Sequence, residues 1–317
     1  KRGRVTTDED ALVELNAKHN LKVLGLIIQI RKMRVLKSTF LDAQPGVDGR
    51  KRTHYIISGT ETGRLASKDV NLQNVPKGKA RSFFIPNEGC VFLGVDLSQA
   101  EARIVAYLSE DIHFMRVFEE GGDVHKKNAS NIFKTKEEEV TPEQRYLGKR
   151  LVHAGNYGIS HIKFSKLTGL GYADSKVALG TYYTSYPKIK VWHLKVENTL
   201  RRTRVLSTPM GRRRTFFDRW GADLLRKGYA YVPQSTVGDY MNVGLTRLFY
   251  SLPREARILL QIHDAVVIEV EEAYLDAHRE ELYGMIKRAI EIEIEVEGRK
   301  VKIPAEILEG RCWDDVS

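Results

Sequence analysis

The chain has 317 residues, 42% of them hydrophobic and 29% charged, which fills a core across more than one subdomain and excludes a disordered or collagen-like chain. Lys and Arg number 51 against 41 Asp and Glu, and the resulting net charge of +10 suits a partner that presents a phosphate backbone. Two distant cysteines, Cys90 and Cys312, exclude a disulfide framework and a zinc site. No run of about 18 apolar residues and no signal-peptide pattern occurs, so a cytoplasmic setting is expected.

In chain order, residues 8–40 read as helical. Leu12, Leu15, Leu21, Leu24, Ile27, Ile28, Met33 and Leu36 supply an apolar stripe broken at Asn20. Pro45-Gly46 marks a turn, and Tyr55 to Ile57 and Val91 to Val95 read as strands. The second strand runs into Asp96-Leu97-Ser98-Gln99-Ala100-Glu101-Ala102-Arg103, a carboxylate at the end of an apolar run with a polar cluster behind it. Residues 111–228 are mostly helical in pattern and rich in charge, and Thr141-Pro142-Glu143 is the capped start of a helix. A helix is expected over 234–250, a hairpin over Ile258–Val270 around His263-Asp264, a helix near 274–290, and strands to the end.

Two features carry chemistry. A lone Asp after a strand is usually a turn or cap residue. Two strand-borne aspartates, Asp96 and Asp264, can instead meet in a fold and hold two divalent metals about 3.5–4 Å apart, the arrangement that drives in-line phosphoryl transfer in polymerases and nucleases. Between them lies the period-four series Arg145, Lys149, His153, Tyr157-Gly158, which on a helix rises about 18 Å along one slowly drifting face. Cations at that spacing suit a polyphosphate, and the rings beside them suit a base. A solvated basic face explains the Arg/Lys pair but not the aromatic continuation.

These residues resemble family A DNA polymerases, the group of bacterial DNA polymerase I and related phage enzymes, over nearly the whole chain. Six segments match in order. Thr62-Gly63-Arg64-Leu65 with Asn71-Leu72-Gln73-Asn74-Val75-Pro76 is similar to the segment that grips the primer–template duplex, and Asp96 to Arg103 to the first metal motif. Asp123-Val124-His125 and Arg145 to Gly158 are similar to the two parts of the nucleotide-binding fingers. Gly211-Arg212-Arg213-Arg214 and Gln234-Ser235-Thr236 resemble template and primer contacts, and His263-Asp264 the second metal motif.

The resemblance implies an α+β right-hand fold with an antiparallel-sheet palm, mostly helical fingers and a truncated helical thumb. Residues 1–44 would be the end of the thumb, 45–110 and 229–317 the two parts of the palm, and 111–228 the fingers. It implies template-directed DNA synthesis with two Mg²⁺ ions, Mn²⁺ able to substitute, held by Asp96, Asp264 and the backbone carbonyl of Leu97. Gln99, Glu101, His125, Arg145, Lys149, His153 and Tyr157 would bind the deoxynucleoside triphosphate. Lys149 also protonates the leaving pyrophosphate, Glu101 excludes a ribose 2′-hydroxyl, and Tyr157 stacks near the templating position. Arg64, Asn71, Gln73, Asn74, Arg103, Arg212, Arg213, Gln234 and His263 would contact primer–template DNA, in part through minor-groove edges.

The chain departs from the family pattern at the site. Ala265 replaces a Glu after the second metal aspartate, which leaves two outcomes open: catalysis on the two primary ligands, or help from a neighbour such as Glu269. His153 stands where the family has Phe or Tyr, and Leu97, Ala100 and Ser235 replace Tyr, Ile and Gly, changes in keeping with a divergent, viral branch. No Asp-x-Glu proofreading pattern occurs. With about 40 residues ahead of the palm, the expectation is a piece of a longer polypeptide, and after it one half of a split polymerase. Either way a thumb or exonuclease-like segment would be a partner, in cis or as a separate chain. The competing functions are a catalytically silent DNA-binding subunit, favoured by Ala265, and a metal-dependent nuclease, which leaves the Arg145–Tyr157 row without a task.

Overall fold

The computed structural model describes residues 6–317. The chain starts with helices α1 (Glu9–His19) and α2 (Lys22–Leu36), then strands β1 (His54–Ile56), β2 (Ala66–Lys68) and β3 (Cys90–Leu97). Helices α3 (Ala100–Leu108), α4 (Ile112–Glu119), α5 (Val124–Phe133), α6 (Pro142–Asn156), α7 (His161–Thr168), α8 (Tyr172–Ser185) and α9 (Lys188–Thr203) follow. The hairpin β4 (Val205–Ser207) and β5 (Arg213–Thr215) leads to α10 (Ala222–Ser251), β6 (Ala256–Ile262), β7 (Ala265–Glu271), α11 (Glu272–Ile290), β8 (Glu293–Val296), β9 (Arg299–Lys302) and β10 (Ala305–Gly310). The mixture of helix and antiparallel sheet is the α+β class expected.

Local chemistry explains the boundaries. The Asp8 carboxylate caps α1, accepting from Ala11 N–H at 2.8 Å, and Asn20 ends it in the left-handed conformation at φ 47°, where the sequence placed the break. Asp111 and Asp123 cap α4 and α5. Thr141 and Gln144 form a reciprocal capping box with Pro142 in the first turn, so α6 starts where the pattern placed it.

The body is a four-stranded antiparallel sheet in the order β10-β3-β7-β6. Its register sets Asp96 opposite Ala265 and Phe92 opposite Glu269. Alternation sorts the side chains onto two faces. Val91, Leu93 and Val95 of β3 with Val266, Ile268 and Val270 of β7 enter the main core, which also takes Leu275, Leu282, Ile286 and Ile290 of α11. Each such buried aliphatic side chain contributes about 1.5–3 kcal/mol. The opposite face, with Phe92 and Val267, joins a second cluster containing Phe40, Leu72, Trp313 and Val316. A Cβ on Gly94 would overlap the Val316 carbonyl, so only glycine lets the C-terminal turn lie against β3.

One expectation needs correction. Helix α10 spans 30 residues from Ala222 rather than starting at 234, and it carries Pro233 in its interior. Pro233 is buried, and the apolar row from Leu224 to Leu248 outweighs the one hydrogen bond that its missing N–H removes. The stretch 111–228 is mostly helix as expected, with the short hairpin β4–β5 set between α9 and α10. The stripe of residues 8–40 lies on helices as expected and is partly covered: Leu12 is buried, Leu24, Ile27, Ile28 and Leu36 are half-buried, and Leu15, Leu21 and Met33 are exposed.

Candidate active site

Asp96 is the penultimate residue of β3, and Asp264 follows His263 in the two-residue turn between β6 and β7. The Leu97 N–H donates to the Asp264 carbonyl at 3.1 Å, which ties the strand end to the turn and brings the two aspartates to one edge. His263 adopts φ 57°, a left-handed conformation that a non-glycine residue keeps only where its surroundings enforce it. The bracing is present. Gln73 donates to the carbonyl and side-chain oxygens of Gln261 at 3.2 and 3.1 Å, Gln261 donates to the His263 carbonyl at 2.6 Å, and the Tyr55 hydroxyl donates to the Gln261 carbonyl at 2.8 Å.

No other side chain hydrogen-bonds or ion-pairs with the Asp96 or Asp264 carboxylate among the described residues. Desolvation, then the charge of Asp264, pushes Asp96 up to about 7, against the opposing pull of Lys149 and Lys77. Asp264 is raised by burial first and then by Glu101. Two close, unpaired, mutually repelling oxygen donors fit a hard divalent cation, which would relieve both penalties. No group of three or more His, Cys, Asp or Glu able to hold a metal occurs among the described residues, so a cation at this edge would have as donors the two aspartates and backbone oxygen such as that of Leu97. Glu269 does not add to them. It lies four residue pairs away along the strands, bonded to Arg257 Nε at 2.7 Å, Asn87 N–H at 2.7 Å and Arg50 at 3.3 Å.

Beside this pair sits a fully satisfied acid. Glu101 takes an ion pair from Arg64 at 2.5 Å and the hydroxyl hydrogen of Tyr157, whose oxygen is also bonded by Gln234. Burial would raise Glu101, but Arg64 and Tyr157 hold it below the usual carboxylate range. Arg64 is itself caged. Gly238 of α10 packs on its stem, Asn242 donates to the Gly63 carbonyl at 3.0 Å, and the Arg212 guanidinium covers Gly63 while forming a forked pair with Asp239 at 2.7–3.1 Å. Gly63, at φ 76°, has no room for a Cβ under Arg212.

Helix α6 presents the period-four row. Arg145 pairs with Asp123 at 2.6 Å, and Lys149 is exposed with no acidic partner among the described residues. His153 meets Tyr157 edge-on, ring centroids 4.4 Å apart, and Tyr157 is buried at the C-cap. His125, buried with an unbonded Nδ1, is held neutral: desolvation, only partly offset by Asp123, lowers it to about 4. The Gln99 side chain accepts from Val124 N–H at 3.0 Å and so fastens the start of α5 to the strand–helix junction.

The site residues do not all converge. Arg103 is buried with its guanidinium over Phe118 at 4.6 Å, packing α3 on α4 rather than facing a duplex, and Gln73 is taken up in bracing the His263 turn. Asn71 accepts from Ser67 at 2.6 Å, while Asn74 and Arg213 are exposed. Sequence reasoning missed Tyr55, Asp239 and Lys77. Nothing local marks them, because their partners lie far along the chain. Lys77 precedes Gly78, whose N–H is held by Asp314 at 2.5 Å.

The family model described as DNA polymerase family A matches residues 1–315. The thermostable DNA polymerase I of Thermus filiformis is 33% identical over 334 residues, covering 99% of this chain and 38% of that protein. DNA polymerase I of Borreliella burgdorferi is 30% identical over 335 residues, covering 98% of this chain and 35% of that protein. Among solved structures, the POL domain of Pol1 from M. smegmatis in complex with DNA primer-template and dNTP matches with a TM-score of 0.86 and 27% identity, covering all of this chain and 57% of that one. The chain therefore spans well under half the length of these curated relatives. Among the described residues no helix is long and apolar enough to cross a membrane.

Proposed function

Since the chain belongs to DNA polymerase family A, we propose that it is the catalytic core of a template-directed DNA polymerase, adding deoxynucleotides to a primer 3′ end and releasing pyrophosphate. The observation that carries this reading is the pair Asp96 and Asp264, unpaired and raised, at the edge where Lys149 of α6 supplies an uncommitted cation.

Family A enzymes use divalent metal ions, and Mg²⁺, replaceable by Mn²⁺, is the ion assigned here; when bound it polarises the 3′-hydroxyl and neutralises charge on the triphosphate. Asp96 and Asp264, with the Leu97 carbonyl, would hold two such ions. Lys149 and Arg145 bind the triphosphate, His125 lies beneath them, and Lys149 gives a proton to the departing pyrophosphate as the 3′-oxygen bonds to the α-phosphorus. Glu101, fixed by Arg64 and Tyr157, stands against a ribose 2′-hydroxyl. His153 lies along the nucleotide, Gln99 fixes the start of α5, and Arg64, Asn71, Asn74, Arg213, Gln234 and His263 line the duplex path. Residues 45–110 and 229–317 form the palm, 111–228 the fingers and 1–44 the end of the thumb, in a protein acting inside a bacterial or virus-infected cell.

The test is primer extension by this chain on a DNA template with one deoxynucleotide at a time. Addition of only the complementary deoxynucleotide, dependent on Mg²⁺, is expected. Duplex binding without addition would favour a silent DNA-binding subunit, and degradation of the primer without addition a nuclease.

A further inference from the structure

The strand on the far side of β3 from Asp264 carries an acid that the site has not used. β10 is an edge strand paired with β3, and its register sets Glu306 opposite Asp96. The Ser98 N–H donates to the Pro304 carbonyl at 2.9 Å, so 98 and 304 form a hydrogen-bonded pair. Two residues along, 96 and 306 form another, with Cα atoms about 5.5 Å apart. The Leu97 N–H bond to Asp264 leaves Asp96 and Ala265 in the closer, non-bonded kind of pair, about 4.5 Å apart. Residues directly opposite each other share a face of the sheet. Ala265, Asp96 and Glu306 therefore stand in one row across β7, β3 and β10, while Ala305 and Ile307 turn to the main core behind it.

Glu306 is exposed and has no hydrogen-bond or ion-pair partner among the described residues. The other acid of the strand, Glu309, sits opposite Leu93 on the other face and is held by Arg279. Only Glu306 is left uncompensated, and its charge is among those that push Asp96 up. A charged residue on an edge strand also discourages pairing with another chain. That purpose does not call for an acid at this position. A Lys opposite Asp96 would protect the edge equally and would relieve the aspartate instead of opposing it.

Resting on the polymerase reading, we propose that Glu306 is a positioning residue of the metal edge, accepting hydrogen bonds from water on the ion beside Asp96 and supplying the third carboxylate that Ala265 lacks. Direct ligation is not assigned to it, because among the described residues no three acidic, His or Cys side chains form a group able to hold a metal. A water-borne role suits Mg²⁺, which keeps several of its waters while one or two carboxylates bind it. Such outer partners orient the bound water and add charge without occupying a coordination position.

Mn²⁺ binding tests this, counted from the free-ion EPR signal in the presence of a primer–template whose primer ends in a dideoxynucleotide. Glu306→Gln should weaken binding about ten-fold or more, the range for outer partners of a metal site. On an ordinary primer it should raise the Mg²⁺ concentration for half-maximal extension by a similar factor, with the rate at saturating ion falling less. Ala265→Glu added to that variant should recover part of the affinity, since its side chain enters the same row from the other side. Glu309→Gln should bind Mn²⁺ as wild type does. Unchanged Mn²⁺ affinity in Glu306→Gln overturns the proposal and leaves Glu306 a solvated edge residue. So does an equal loss in Glu309→Gln, which marks a general effect of charge on the strand. Wild type that binds Mn²⁺ but adds no nucleotide sinks the polymerase reading alone, and nucleotide addition with Glu306→Gln indistinguishable from wild type sinks this one alone.

Discussion

Asp96 and Glu269 rise from the same face of the same antiparallel strand pair, four residue pairs apart, and they are electrostatic opposites. Glu269, 2% exposed, is met by two arginines and a backbone N–H, and although burial pushes it up, the bonds from Asn87 and Arg257 hold it below the usual carboxylate range. Asp96 has no bonded partner among the described residues, and burial, then the charge of Asp264, pushes it up to about 7 against the weaker pull of Lys149 and Lys77. A buried acid with its partners in place is part of the fold, whereas an acid left without them is destabilising until something outside the chain binds it. Glu101 lies between the extremes, paired inside the protein yet next to the unpaired aspartates.

The comparison breaks most visibly through activity. Removing either carboxylate in Asp96→Ala or Asp264→Ala should slow nucleotide addition by about a thousand-fold or more, in single-turnover extension at saturating nucleotide, with duplex affinity retained. Glu269→Ala should do the reverse. Leaving Arg257 and Arg50 without their partner should lower the unfolding free energy by about 3 kcal/mol in urea titration, and the rate per folded molecule should not change. A Glu269 variant that folds normally but cannot add nucleotides would place Glu269 at the metals after all.

A fourth buried group sharpens the rule with the opposite charge. His193, stacked on Tyr229 with ring centroids 4.0 Å apart and bonded to the Asn156 carbonyl, is lowered by burial to about 4 from its ordinary 6.5. Its unfolded form takes a proton first, so its contribution is complete above pH 6.5 and is lost as pH falls towards 4. That loss is about 3 kcal/mol, and melting curves of His193→Phe should show a shallower acid slope. Smaller still is the change at the intermediate acid: Glu101→Ala should raise the ratio of ribonucleotide to deoxynucleotide addition by about ten-fold. Arg212→Ala should move that ratio the same way by less, since Arg212 acts through Gly63 and Arg64, and Arg212→Lys should restore part of it. An unchanged ratio in both variants would remove the Arg64–Glu101 pair from sugar selection.

Much of this was readable before the fold. The strand ending in Asp96, the β6–β7 hairpin and the α6 row are local patterns, and the Thr141 cap and the Asn20 break are decided within four residues of themselves. What escaped depends on distant partners. A charge in sequence does not say whether it faces water, so Arg103 read like Arg213 although it lies over Phe118. The helix expected from 234 in fact starts at Ala222 and runs through Pro233, because burial along α10 is a tertiary property. The three-residue strands β4 and β5 are too short for a periodic signal. Glu269 passed for a spare metal ligand because its two arginines come from residue 50 and from the neighbouring strand.

The most direct test is the Mg²⁺ dependence of primer extension measured side by side for wild type, Asp96→Ala, Asp264→Ala and Glu269→Gln at a temperature where all four are folded. Wild type and Glu269→Gln should extend with the same dependence on the ion, while both aspartate variants stay about a thousand-fold or more slower at every concentration. Near wild-type extension by either aspartate variant would contradict the claim that the unpaired acids are where the chemistry takes place.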